Sequence, residues 1–419
     1  MVKPEINEVL EHMHRCSDSR LHRLLRRLLS VCQVFGVAPL QINSKTTTKP
    51  TRKCLYRIWC AVLVLYIYVV NYLQSIRIPS EKSTAEKALY FSVFLTNCAI
   101  VAVTIVSAQR HGELFCSVPR ELTHLARALH QEQPHHARHL FTRKTNHKSA
   151  LNTTLLYCEL RNLTVLISSF LSSCFVFNLL LVKFDVLQTL RSSGAYNLPQ
   201  VLISLNLGQH WLGLRFIKQL YSGINECLQE LRANCRIGEQ DGCRGEQASW
   251  FRREFLTIRP PKQTHESLEK LRNIYAQLDG LTSTLVNAFG LILLLNLLAT
   301  FGELSVELFS IFKYCDRPHE YNIVLLAYKV LWIILHVGRM FFILLPNQAI
   351  ITEKCRTCFI LHQLNSVSTD MERAINRFLM QLMVRNKAES ACGIVDLDLM
   401  LLGVVSSIKQ SLIMTLAKW

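Results

Sequence analysis

Apolar residues gather in seven stretches, 58–73, 88–108, 163–182, 198–217, 281–301, 323–345 and 397–416. Each is close to the ~20 residues that an α-helix needs to cross the hydrocarbon core of a bilayer. Outside them the pattern is helical rather than alternating. Over 16–37, Leu21, Leu24, Leu25, Leu28 and Leu29 recur against Arg20, Arg23, Arg26 and Arg27, the spacing of a basic amphipathic helix that either lies on the inner leaflet or packs its stripe on the body of the protein. Over 369–387, Met371, Ala374, Ile375, Phe378, Leu379 and Leu382 fall on one helical face, with Arg373, Arg377 and Gln381 off it. The predicted fold is all-α: a polytopic membrane protein with seven transmembrane helices.

Charge orients the helices. Lys and Arg number 35 in the arm 1–57 and the connections 109–162, 218–280 and 346–396, against 7 in the connections 74–87, 183–197 and 302–322. Positive charge is retained on the cytoplasmic side during insertion, so the N-terminus is expected inside and the C-terminus outside. The expected layout is a cytoplasmic arm 1–57 with the basic helix, six helices over 58–345 with long cytoplasmic connections 109–162 and 218–280, a cytoplasmic segment 346–396 with the amphipathic helix, and a seventh helix with a short outer tail over 397–419. No leader-like apolar core precedes 58–73, so that span is expected to direct its own insertion. The orientation is opposite to that of a G-protein-coupled receptor.

Composition fits this picture, with 50% hydrophobic and 18% charged residues and a net charge of +17. The cytoplasmic skew of that charge points to anionic lipid headgroups rather than nucleic acid. Of 15 cysteines, only Cys315 falls in an outer connection, so no extracellular disulfide is expected. Histidines cluster over 109–162, and Cys355, Cys358 and His362 are closely spaced, but neither group has metal-ligand spacing, and no metal or cofactor is expected. The sequons at Asn152 and Asn162 lie on the expected cytoplasmic side, where glycosylation does not reach. HExxH, GxSxG and phosphate-loop signatures are missing, so no enzyme is expected.

Among ionisable residues in or beside spans, Arg215 and Arg339 are expected to snorkel, Glu303 and Glu307 to mark the outer end of the fifth span, and Lys409 to lie mid-way along the seventh. Tyr90, Phe94, Phe177, Tyr328 and Trp332 are outer-half aromatics suited to an apolar ligand pocket.

The run Phe378-Leu379-Met380-Gln381-Leu382, then Ala391-Cys392-Gly393, then Asp396-Leu397-Asp398 with Leu401-Leu402 before the last apolar stretch resembles the end of insect gustatory receptors. Phe35-Gly36-Val37-Ala38-Pro39-Leu40 is similar to the Gly-x-x-Pro stretch that precedes the first helix in that family. The resemblance covers nearly the whole chain. It implies a ligand-gated, non-selective cation channel, a homo- or hetero-tetramer with related receptor subunits, in the plasma membrane of sensory neurons, gated by a small-molecule tastant, with the last helix lining the pore. The family's Thr-Tyr and Gln-Phe pairs in that helix are replaced here by Ser406-Ser407 and Ile413-Met414.

At about 100° per residue, Ser407, Gln410, Ser411 and Met414 form the most polar face and are expected to line the pore, with Lys409 on its flank. Phe378 and Leu382 are expected at a subunit interface. A G-protein-coupled receptor and a secondary transporter are the alternative readings.

Overall fold

The computed structural model describes residues 19–38, 50–75, 84–132, 153–181, 185–243, 261–316, 323–364, 369–385, 390–397 and 403. Among these the helices are α1 (Ser19–Val34), α2 (Pro50–Ser75), α3 (Thr84–Arg110), α4 (Gly112–Glu132), α5 (Thr153–Leu181), α6 (Val186–Cys243), α7 (Pro261–Asp316), α8 (Ile323–His362) and α9 (Thr369–Arg385), followed by the two-residue strands β1 (Ser390–Ala391) and β2 (Val395–Asp396). The all-α expectation holds. Four described helical stretches are long and apolar enough to cross a membrane, Cys54–Leu73, Tyr157–Leu181, His265–Ile311 and Ile323–His362, and Phe94–Arg110 is a shorter apolar helix. The expected seventh span lies almost wholly outside the described residues.

Residues 198–217 are helical too, but their hydropathy is weak for a structural reason. This part of α6 is surrounded by other helices, and besides Leu202, Ile203 and Leu214 it buries Gln200, Asn206 and His210. A central helix can bury polar side chains against its neighbours, whereas a lipid-facing one cannot. The peripheral helices show the opposite pattern. Leu65 and Tyr68 on α2, Val106 on α3, Leu166 on α5 and Ile334 on α8 are all exposed, the apolar band expected of a surface that meets acyl chains.

Where they are described, the polar connections are largely helical. The expected connection 218–280 is largely the continuation of α6 to Cys243 and the beginning of α7 from Pro261, α8 runs on to His362 through Pro346, and 109–162 contains α4. These extensions, with α9 and the hairpin, form a basal bundle whose core includes Leu129, Tyr221, Leu268, Tyr275, Ile360, Phe378 and Leu382. Lys218, Arg232, Lys270 and Arg272, part of the charge that marks 218–280 as non-membrane, sit on helices whose other faces are buried.

Two short motifs become legible here. Gly36, at φ 73°, ends α1: the Val37 N–H donates to the Cys32 carbonyl at 2.9 Å and the Gly36 N–H to the Gln33 carbonyl at 3.1 Å, a Schellman cap that favours glycine at its left-handed position. The cap folds Val37 and Ala38 into a second core with Cys32, Cys60, Leu63, Ile105 and Leu160. Tyr56 Oη donates to the Ala38 carbonyl at 2.6 Å and Trp59 Nε1 to the Val34 carbonyl at 2.8 Å. The apolar stripe of α1 therefore packs on the body of the protein. Ala391-Cys392-Gly393 forms the turn of the β1–β2 hairpin, with positive φ at both Cys392 and Gly393, as a type I′ turn requires. A Cβ placed on Gly290 of α7 would sit 3.1 Å from the Cys392 nitrogen, so the glycine admits the hairpin.

Candidate functional site

The helices bring three of the expected ligand-pocket aromatics, Phe177, Tyr328 and Trp332, together. On α8, Tyr328, Trp332 and His336 recur every fourth residue and stand on one face. Tyr328 meets Trp332 edge-on at 5.9 Å and Trp332 stacks on His336 at 5.7 Å. Phe177 of α5 extends the file, 6.2 Å from Tyr328. Phe94 of α3 is buried 5.5 Å from Tyr196 of α6, one turn from Asn97. Tyr90 belongs to α3, and its side chain lies outside the described residues.

The file ends on a polar cluster built by four helices. Glu303 of α7 accepts from Asn97 Nδ2 at 2.8 Å and meets His336 Nδ1 of α8 at 2.9 Å. Arg339, one turn on, donates to the Gln200 side chain of α6. All five residues are buried. Arg339 thus departs from the expectation that it snorkels: its neighbours supply a carboxamide acceptor and the nearby Glu303 carboxylate, which cost less than dragging the side chain to a distant interface. Lys329 and Glu307 pair at 3.0 Å further along the same two helices.

Arg339 Nη1 is buried without a hydrogen-bond partner among the described residues. An unpaired donor buried in an apolar site is costly, and a ligand carrying an acceptor would recover that cost. The arrangement offers aromatic surface with a few convergent polar groups, the usual composition of a small-molecule site. It has no nucleophile-and-base arrangement. Among the described residues no group of three His, Cys, Asp or Glu could hold a metal ion.

Sequence reading singled out the aromatics and Glu303 but missed His336, Asn97 and Gln200. A signal was present: Glu303 and Glu307 lie one turn apart on one span, and Lys329 and His336 lie two turns apart on the next. Helices that carry complementary charges at matching depth are expected to face each other.

The residues expected elsewhere are placed differently. Phe378 and Leu382 are buried within their own chain, and Phe378 meets Tyr275 edge-on at 5.4 Å. Ser407, Lys409, Gln410, Ser411 and Met414 lie outside the described residues. The basal bundle has its own polar cluster. Lys354 Nζ donates to Asp279 at 2.6 Å and stands 5.9 Å over the Tyr221 ring. Asn225 Nδ2 donates to Glu353 Oε2 at 2.9 Å and Thr357 Oγ1 donates to Asn225 Oδ1 at 2.7 Å.

Compared with known proteins, residues 25–413 match the family described as 7tm chemosensory receptor. The chain is 27% identical over 377 residues to gustatory receptor 59e of Drosophila melanogaster, itself a provisional assignment, covering 90% of this chain and 89% of that one. To the similarly assigned gustatory receptor 59f of the same organism it is 23% identical over 234 residues, 56% of this chain and 52% of the other. In fold it is similar to the insect olfactory receptor OR5 from Machilis hrabei, with TM-score 0.60, 11% identity, and coverage of 95% of this chain and 99% of that one. The structure of that receptor in complex with eugenol superposes with TM-score 0.60 at 12% identity, covering 96% of this chain and all of the other.

Proposed function

The chain belongs to the 7tm chemosensory receptor family, and from that premise we propose that it is a gustatory receptor, a subunit of a ligand-gated, non-selective cation channel in the plasma membrane of sensory neurons. The observation that carries the ligand reading is the aromatic file Phe177–Tyr328–Trp332, which runs into the buried Glu303–His336–Arg339 cluster. A small tastant with an apolar body and a hydrogen-bond acceptor suits such a site, and the fold relative seen with eugenol lends support. The ligand would favour the open state by its higher affinity for that conformation.

In this reading the N-terminus is cytoplasmic, and four subunits, identical or related, surround the pore. Ser407, Gln410, Ser411 and Met414 line the pathway with Lys409 on its flank. Phe378 and Leu382 would act at the subunit interface indirectly, by holding α9 on the basal bundle while Met380, Met383 and Val384 on its exposed face meet a neighbour. The family is one of receptors, not enzymes.

Current recordings from cells expressing the chain, alone and with related subunits, against a tastant panel test the proposal. The expected result is a ligand-evoked cation current that Lys409→Met enlarges by removing a positive potential near the pathway. A current carried by anions, or a G-protein response without current, would overturn it.

A further inference from the structure

A groove of about 880 Å³ runs between α2 and α3 on the exposed side of the molecule. Its walls are apolar, with Cys60, Val64 and Tyr68 from α2 and Cys98, Ala102 and Ile105 from α3. One end carries Arg57 and Arg110, which are exposed and have no ion-pair partner among the described residues. The helices are antiparallel, so the arginines stand together at one mouth, and Tyr68 and Leu95 lie towards the other end. From Arg57 to Tyr68 the groove spans eleven residues of α2, about 17 Å at 1.5 Å per residue. That length matches one leaflet of hydrocarbon, about 15 Å. Small side chains, Ala61, Ala99 and Ala102, leave the space that larger ones fill elsewhere on these helices.

We propose that this groove is a binding site for an anionic glycerophospholipid, with an acyl chain lying between α2 and α3 and the phosphate held by Arg57 and Arg110. The proposal rests on the orientation given above, in which this mouth faces the cytoplasm, where the anionic lipids of a cell membrane concentrate. Guanidinium groups suit the ligand, since each presents paired donors to phosphate oxygens. The groove also borders the packing of α1. Cys60 is both a wall of the groove and a member of the core that holds Cys32, Val37 and Ala38, so an occupant would press on the seat of the N-terminal helix.

The test uses the full chain in nanodiscs of phosphatidylcholine doped with a phosphatidylserine that carries a photoreactive group on its acyl chain, or with the equivalent phosphatidylcholine probe. Labelled peptides are identified by mass spectrometry, and folding of each variant is checked by thermal melting. The serine lipid is expected to label peptides containing 57–68 and 95–110 in preference to the choline lipid.

Arg57→Gln with Arg110→Gln should reduce that preference about 25-fold, about fivefold per arginine, the factor that corresponds to the usual attraction of one basic side chain to an anionic surface. Ala102→Trp, which fills the groove and keeps both arginines, should abolish labelling of these peptides by either probe. Equal labelling by the two lipids, or undiminished preference in the double arginine variant, would overturn the site. So would absence of label with cross-links joining these peptides of two copies, which would make the groove a subunit contact. Both leaflets of the disc have the same lipid, so the result is independent of orientation. An epitope before Met1 that stained intact cells would instead overturn the cytoplasmic placement of the arginines.

Discussion

The two polar clusters of this protein are built from the same kinds of residue and behave differently. In the basal bundle, Asp279 and Lys354 satisfy each other, and Asn225, Glu353 and Thr357 close a set of direct hydrogen bonds. In the membrane cluster, Glu303 is held by Asn97 and His336, yet Arg339 keeps an unpaired buried donor, Nη1. A closed network fixes one arrangement of helices, whereas one with spare donors retains a reason to bind something else. The basal bundle is therefore expected to be the more rigid of the two, while the membrane cluster keeps a donor that an acceptor-bearing ligand would satisfy.

Four substitutions test this contrast. Lys354→Met strands the buried Asp279 carboxylate and should cost about 3–5 kcal/mol, read as a large fall in melting temperature in detergent. Adding Asp279→Leu should recover most of the loss, and an unchanged melting point in the single variant would remove the claim of rigidity. Phe378→Ala should destabilise each protomer by about 3–5 kcal/mol, because it opens a cavity against Tyr275. Loss of tetramers at unchanged protomer stability would instead put Phe378 itself at the subunit contact.

Trp332→Phe should matter less to folding than Lys354→Met and more to sensing. The ligand concentration for half-maximal current should rise at least about tenfold, equivalent to about 1.4 kcal/mol. An unmoved dose–response curve would take the aromatic file out of the ligand site.

The smallest expected effect is that of Lys329→Met. The partly exposed pair with Glu307 should contribute no more than about 1 kcal/mol, and a larger loss would show that the cluster extends that far.

The α1 cap offers a check on packing rather than on ligand. Burial pushes the Cys32 thiol up to about 11, with the Gln209 side chain and backbone pulling weakly the other way. Near neutral pH it is therefore held as thiol, and its thiolate appears only as pH climbs towards that value. Alkylation in the folded protein should spare Cys32 and modify the exposed Cys355 and Cys392 of the basal bundle, as peptide mapping would reveal. Rapid neutral-pH labelling of Cys32 would mean that α1 detaches from α2.

Hydropathy and helical period by themselves determined that the chain is helical and membrane-embedded, that α9 is amphipathic, and which aromatics belong together on α8. Each of these depends on positions a few residues apart. The Gly36 cap and the Ala391-Cys392-Gly393 turn were visible as motifs, but the close approach that requires Gly290 was not. The partners of the polar side chains became visible in the packed helices alone. Asn97 and Glu303 are separated by 206 residues and Asn225 and Glu353 by 128, and nothing local to either member of such a pair specifies the other.

The same reason explains the misread stretches. Hydropathy places a helix in or out of the membrane but is silent on whether a polar helix continues beyond it, so 218–280 was legible only as a long cytoplasmic connection, not as the continuation of α6 and the start of α7. Arg339 looked free to snorkel because the acceptor that holds it, Gln200, is supplied by another helix.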